Sequence, residues 1–93
     1  MVIGVLTLDL YVRHSQSLKQ KRRVVKSLKD RLRARYNVSV SEVDFHDDKK
    51  RARIGVAAIG VDAGYVQGAL EEVKLAVTLE PMAELGRSEI EFY

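Results

Sequence analysis

Residues 2–13, VIGVLTLDLYVR, are almost entirely apolar in their first half and alternate between apolar and polar side chains in their second half. Such alternation is typical of a β-strand with one buried face, and the apolar first half indicates a strand in the middle of a sheet. Residues 52–61, ARIGVAAIGV, predict a second central strand. Residues 38–45 and 87–93 alternate as two further strands, and the charged residues 46–51 are predicted to form a hairpin loop.

Apolar residues at helical spacing lie between the strand at 2–13 and the strand at 38–45. Ser17 followed by Gln20 fits a capping box, so the helix is predicted to begin at Leu18 and to run for about 18 residues. Asn37 is the predicted stop, because asparagine tolerates the left-handed conformation. The apolar stripe of this helix consists of Leu18, Val25, Leu28, Leu32 and Tyr36.

A second helical period covers residues 63–79. Asp62 is its predicted N-cap, and Pro81 prevents its continuation. Its buried edge is predicted to consist of Val66, Ala69, Leu70, Val73 and Val77.

The element order β-α-β-β-α-β predicts the α+β class, as a ferredoxin-like βαββαβ two-layer sandwich with both helices on one face of an antiparallel sheet. The right-handed crossover rule gives the sheet order 4-1-3-2. This order puts residues 2–13 and 52–61 in the middle of the sheet, as their composition also indicates. We predict one domain over residues 1–93.

Composition limits the classes of protein that are possible. Apolar residues make up 46% of the chain and charged residues 31%, which is typical of a globular protein. The absence of cysteine excludes disulfides, thiolate metal sites and thiol catalysis. No apolar run approaches the ~20 residues of a membrane span. We expect a soluble protein of the cytoplasm.

Charge is distributed unevenly along the chain. Residues 19–35 hold nine Lys or Arg and one acid, Asp30, whereas the net charge of the whole chain is only +3. The rest of the chain is therefore acidic, and the resulting field steers anionic partners. Lys21, Arg31 and Arg35 are predicted on one flank of the first helix. Six residues are predicted on the other: Lys19, Arg22, Arg23, Lys26, Lys29 and Arg33.

These six residues are the candidate nucleic-acid-binding residues. If all six engage phosphates of a single strand, the log–log slope of affinity against salt is about −4. Like charges at helical spacing repel one another, and Asp30 is the only acidic residue of the helix that reduces this repulsion, by its position beside Lys26 and Arg33. The competing interpretation is a merely solvated helix face, since Lys and Arg are good helix formers.

Catalytic and metal-binding patterns are weak. His14 and His46 accompany Asp44, Asp47 and Asp48, but charged hairpin loops of this kind are ordinary. No phosphate-cradling glycine loop is present, and capping explains Ser17 better than catalysis does. We therefore predict a protein that is not an enzyme and uses no metal or cofactor.

The open face of the predicted sheet suggests a different partner. RNA-recognition modules of this fold stack bases on aromatic residues of the central strands, but residues 52–61 contain no aromatic residue. The face is predicted to present Ile3, Val5, Ala57 and Ile59, and exposed apolar patches usually bind protein. Homo-oligomerisation through this face is the alternative to RNA binding.

Three motifs carry a family resemblance: Ser17-Leu18-Lys19-x-Lys21-Arg22, then Asn37-Val38-Ser39-Val40, then Glu42-Val43. In these motifs the chain resembles the YlxP-like family of small bacterial proteins, a domain of unknown function. The resemblance covers nearly the whole chain and implies a ferredoxin-like fold. It also implies gene neighbourhoods shared with translation-initiation and ribosome-maturation factors, and no established catalytic residues.

The chain departs from the family pattern in the hairpin loop. Where members commonly carry Leu-Trp-Gln before Arg-Ala, this chain has Asp48-Lys49-Lys50 before Arg51-Ala52. The leading hypothesis is a non-enzymatic accessory protein that contacts ribosomal or other structured RNA through the basic helix, in ribosome maturation or translation.

Overall fold

The structure, a computed structural model, describes all of residues 1–93. Four strands form one antiparallel sheet in the order β2-β3-β1-β4, which is the predicted order read from the opposite edge. The α+β class is confirmed, and the arrangement is compatible with a βαββαβ sandwich. The elements are β1 Val2–Tyr11, α1 Leu18–Arg35, β2 Ser39–Asp44, β3 Arg51–Gly60, α2 Ala63–Thr78 and β4 Glu84–Phe92.

A single apolar core lies between the sheet and the two helices. Alternate residues of the central strands β1 and β3 point into it, and both helices pack on that same face. Full burial of such a side chain contributes about 1.5–3 kcal/mol. The helices contribute Val25, Leu28 and Leu32 from α1 and Val66, Leu70, Val73 and Val77 from α2.

The helix starts are those that the sequence predicts, but the stop of α1 is different. The backbone N–H of Gln20 donates to Ser17 Oγ over 3.1 Å, and Asp62 caps α2 by accepting from the Tyr65 N–H. The prediction of a left-handed Asn37 is wrong, because the helix ends with an extended Tyr36 and residues 36–38 lead into β2 without a positive φ.

The one non-glycine residue with a positive φ is Phe45, at 63°, immediately after β2. A bulky residue in this region costs about 1–2 kcal/mol of backbone strain. The surrounding contacts must therefore hold it in place.

Strand β4 begins at Glu84, three residues before the predicted start. Leu85 pairs with Leu10 across a register shift in β1, so the strand continues through Gly86. A Cβ at Gly86 would lie 2.6 Å from Cε2 of Tyr11. The glycine therefore marks a close approach within the strand and not the boundary that the sequence pattern suggested.

The face of the sheet opposite the helices has an apolar half and a charged half. Ile3, Val5, Ala57 and Ile59 lie on this face, as predicted. Towards the other end of the same two strands, the paired residues are Asp9 and Arg53.

Candidate nucleic-acid interface

Most of the predicted basic residues line the outer side of α1, next to the edge strand β2. Arg33 Nη2 donates to the Val40 carbonyl oxygen over 2.8 Å, and Arg22 lies 3.8 Å from Asp47 in the β2–β3 loop. These two contacts fix the side of the domain on which the cations lie. We call the following five residues the basic stripe: Lys19, Arg22, Lys26, Lys29 and Arg33.

Arg23, the sixth candidate, is exposed and lies at the border of this group, four residues after Lys19 and three before Lys26. It lines a cavity with Val24 of α1 and Met82 of the segment before β4. Five of the six candidates therefore form the stripe, and Arg23 lies between the stripe and this cavity.

The basic stripe carries a net positive charge after its internal pairs are counted. Lys26 Nζ lies 2.8 Å from Asp30 Oδ2, and Arg33 Nη1 lies 3.4 Å from Asp30 Oδ1, as the sequence predicted. The hydrogen bond from Lys26 lowers the pKa of the Asp30 carboxyl below its usual range. The stripe has five cations, and the only acids paired with them are Asp30 and Asp47. The net charge of this surface is therefore +3.

Lys21 is not on a flank of α1, so its predicted position is wrong. Its side chain is fully buried, and its Nζ lies 2.9 Å from Glu42 Oε2. The same nitrogen donates to the carbonyl oxygens of Phe45 (3.0 Å) and His46 (3.4 Å). A buried ammonium group requires such partners.

A sequence signal for this burial exists. Lys21 precedes Val25 by four residues, Leu28 by seven and Leu32 by eleven, and these intervals define one face of a helix. Lys21 therefore lies in line with the apolar stripe, and its charge was the only reason to predict an exposed position.

The same contact gives the family motifs a structural explanation. Lys21 belongs to the motif at the start of α1, and Glu42 belongs to the motif in β2. The two motifs meet in one buried ion pair that ties α1 to the end of β2 and to the β2–β3 loop. The motifs thus fix the orientation of the helix that carries the basic stripe.

The opposite flank of α1 is engaged within the protein. Arg31 Nη2 lies 2.5 Å from Glu80 Oε2, whose side chain is almost fully buried. The Arg35 guanidinium lies 5.4 Å from the centre of the Tyr36 ring. Both cations of this flank are therefore engaged by neighbouring side chains of the protein.

A cluster of arginine and aromatic side chains, which sequence reasoning missed, occupies the charged half of the open sheet face. The Arg51 and Arg53 guanidinium groups lie 3.9 and 4.7 Å from the centre of the Phe45 ring. Arg53 also pairs with Asp9 over 2.6 Å, and this hydrogen bond lowers the pKa of Asp9. The predicted hairpin between β2 and β3 is the sequence feature that could have indicated this cluster, because it brings Arg51 and Arg53 back past Phe45.

Two further observations concern metal ions and membranes. No group of three or more His, Cys, Asp or Glu residues is placed to hold a metal ion. Neither helix is both long and apolar enough to cross a lipid bilayer.

The fold and this surface define a small α+β protein with a cationic helix beside one edge of its sheet. A family model described as "Protein of unknown function (DUF503)" matches residues 3–90. The chain is also 30% identical over 87 residues to "Uncharacterized protein YlxP" of Bacillus subtilis (strain 168), covering 94% of this chain and 92% of that protein. The chain belongs to this YlxP-like family, as the resemblance indicated.

Proposed function

We propose that this protein is a non-enzymatic accessory protein that binds structured RNA, such as ribosomal RNA, through the basic stripe of α1. The observation that carries the proposal is the row of five cationic side chains along one side of the helix, which leaves a net charge of +3 after Asp30 and Asp47 are counted. From Lys19 to Arg33 the stripe is about 21 Å long at 1.5 Å per residue. That length matches several consecutive phosphates of a nucleic-acid backbone.

The alternative of a merely solvated helix face explains the stripe less well. Lys21 and Arg31 show that this protein places a buried or nearly buried carboxylate beside a cation where the fold uses it. Lys19 and Lys29 form no ion pair. Repulsion between like charges at helical spacing costs a few tenths of a kcal/mol per pair, and phosphate binding would remove it.

Titration of a fluorescently labelled RNA hairpin by anisotropy, at 50 and 200 mM salt, tests the proposal. The test variant is the double substitution Arg22→Glu with Lys26→Glu. Arg35→Glu with Lys74→Glu is the control, because it changes the net charge equally while leaving the stripe intact. We expect the test variant to lose binding at both salt concentrations and the control to retain most of it. Equal losses in both variants would show that the stripe has no special role.

A second candidate function is homo-oligomerisation through the open sheet face. It is favoured by Ile59 and Val43, which are 55% and 52% exposed on that face. Val5 and Ala57 lie beside them and are half-buried. Together they form an apolar patch of the kind that usually binds protein.

Sedimentation equilibrium of the wild type and of Ile59→Glu tests this candidate. A wild type that associates and a variant that is monomeric would support it. A monomeric wild type at every concentration tested would exclude it. Because the patch and the basic stripe lie on different surfaces, both functions are compatible with one fold.

A further inference from the structure

Arg51 differs in its surroundings from Arg53, its neighbour on the open sheet face. Its guanidinium carbon lies 3.9 Å from the centre of the Phe45 ring, which is van der Waals contact with the ring face. The side chain is exposed and forms no ion pair. Its neighbour Arg53, in contrast, pairs with both Asp9 and Asp44. Arg53 is thus used in holding the sheet face together, and Arg51 is not.

The ring under Arg51 is held rigidly in an unfavourable backbone conformation. Phe45 has a φ of 63°, its N–H donates to Asp44 Oδ1 over 2.7 Å, and its carbonyl oxygen accepts from the buried Lys21. The Asp48 N–H donates to the same carbonyl oxygen. Strained residues that are held by several contacts cluster at binding sites.

This position adjoins the start of the basic stripe. Lys21 links the first turns of α1 to Phe45, and Arg22 lies near Asp47 in the same loop. Lys50 Nζ donates to the carbonyl oxygens of Arg13 and Ser15, which joins the loop to the segment before α1. The β2–β3 loop, which Arg22 contacts at Asp47, therefore joins the start of the basic stripe to the position of Phe45 and Arg51.

We infer that Arg51, supported on the Phe45 ring, stacks an unpaired base of the RNA that the basic stripe binds. This inference rests on the proposed function and names the class of RNA: a hairpin loop, bulge or single-stranded end. Unpaired bases stack on guanidinium planes as they do on aromatic rings. A guanidinium with one face on Phe45 and the other open to solvent is ordered in advance, so less entropy is lost on binding.

The inference explains how the sheet face takes part in RNA binding without aromatic residues in β3. The stacking plane is supplied by an arginine of β3, and the aromatic ring comes from the neighbouring loop. The edge N–H groups of Arg51 stay free to donate to the base or to a phosphate.

The test compares two RNAs with the same stem: a hairpin with 2-aminopurine in its loop and a blunt duplex without unpaired bases. The variant is Arg51→Lys, which keeps the charge and removes the plane. Arg35→Lys is the matched control, because Arg35 also lies over an aromatic ring, about 21 Å along α1 from Lys21. Affinity and 2-aminopurine fluorescence at saturating protein are both measured.

We expect wild-type protein to bind the hairpin more tightly than the duplex and to quench the 2-aminopurine. Arg51→Lys should bind the hairpin about five-fold more weakly, the low end of what one stacked base contributes, and should lose the quenching. The affinity of Arg51→Lys for the duplex should equal that of the wild type. Arg35→Lys should match the wild type in its affinity for both RNAs and in the quenching of 2-aminopurine.

Two different failures are distinguishable. Binding of both RNAs by wild type and Arg51→Lys with equal affinity and equal fluorescence would overturn the inference and leave the proposed function standing. An absence of binding to either RNA at 50 mM salt would overturn both.

Discussion

Lys21 Nζ lies 2.9 Å from the Glu42 carboxylate in the interior of the protein, where it connects the buried face of the first turn of α1 to the edge strand β2. The lysine side chain is fully buried and the glutamate is 12% exposed. One of the nine cations of the helix is therefore part of the core. This pair orients the helix, and the remaining cations are presented on its outer sides.

Lys21→Met is expected to lower the free energy of unfolding by about 3–5 kcal/mol, because it leaves Glu42 and two carbonyl oxygens largely buried without their partner. Lys21→Met with Glu42→Leu should recover a large part of this loss, since an apolar pair needs no solvation. Lys26→Met, in the exposed pair with Asp30, is the control and should be nearly neutral. Urea unfolding measures all three. A Lys21→Met variant as stable as the control would show that the pair is dispensable.

Substitution of two glycines by alanine is expected to have opposite effects. A Cβ at Gly4 would lie 2.6 Å from Cγ1 of Val66 and 2.9 Å from Cδ1 of Leu70, so Gly4→Ala should destabilise the protein by about 1–3 kcal/mol. A Cβ at Gly68, in the exposed interior of α2, meets nothing within 4 Å. Gly68→Ala should therefore stabilise by about 0.5–1 kcal/mol. Thermal unfolding checks both signs, and a stabilising Gly4→Ala would contradict the packing of α2 on β1.

Acid should weaken the protein partly through Asp9. The hydrogen bond from Arg53 holds the pKa of Asp9 below its ordinary value, so below about pH 4 the unfolded chain binds the proton more readily than the folded one. The stabilisation is complete above that pH and is lost as the pH falls through the lowered pKa. In Asp9→Asn, the drop in urea midpoint between pH 7 and pH 3 should be smaller than in the wild type.

Glu72→Gln is the control for this pH dependence, because Glu72 is an exposed carboxylate of α2 that forms no ion pair. Its urea midpoint should fall with pH as steeply as that of the wild type. An Asp9→Asn variant with the full wild-type drop would mean that the Asp9–Arg53 pair contributes nothing to the pH dependence.

The salt dependence of RNA binding should report the number of phosphates engaged. Five stripe residues on phosphates of a single strand give a log–log slope of about −3.5. Replacement of Arg22 and Lys26 by alanine should reduce the magnitude of this slope by about 1.4. Anisotropy titrations across a range of salt concentrations measure it. A wild-type slope near zero would exclude phosphate contacts as the source of affinity.

The sequence allowed prediction of the elements and the sheet order because both depend on periodicity. The alternation in β1 and the stripe through Val25 and Leu32 are local patterns, and the crossover rule orders the strands. The start of β4 was missed because glycine ends many strands, while Gly86 here accommodates the Tyr11 ring.

The candidate site was predictable only in part. The basic stripe follows from helical spacing alone, but the burial of Lys21 depends on Glu42, which is 21 residues away. The position of Arg51 over Phe45 likewise depends on a left-handed residue and a hairpin register that no local pattern specifies. Charge identified the helix, and tertiary contacts decided which of its cations are buried and which are exposed.

Backbone amide chemical shifts of the labelled protein, recorded during titration with an RNA hairpin at low salt, test whether α1 binds RNA. We expect the largest changes to follow the stripe from Lys19 to Arg33 and to fade as salt is added. Unchanged shifts along α1 throughout the titration, or changes confined to the apolar patch around Val43 and Ile59, would contradict this expectation.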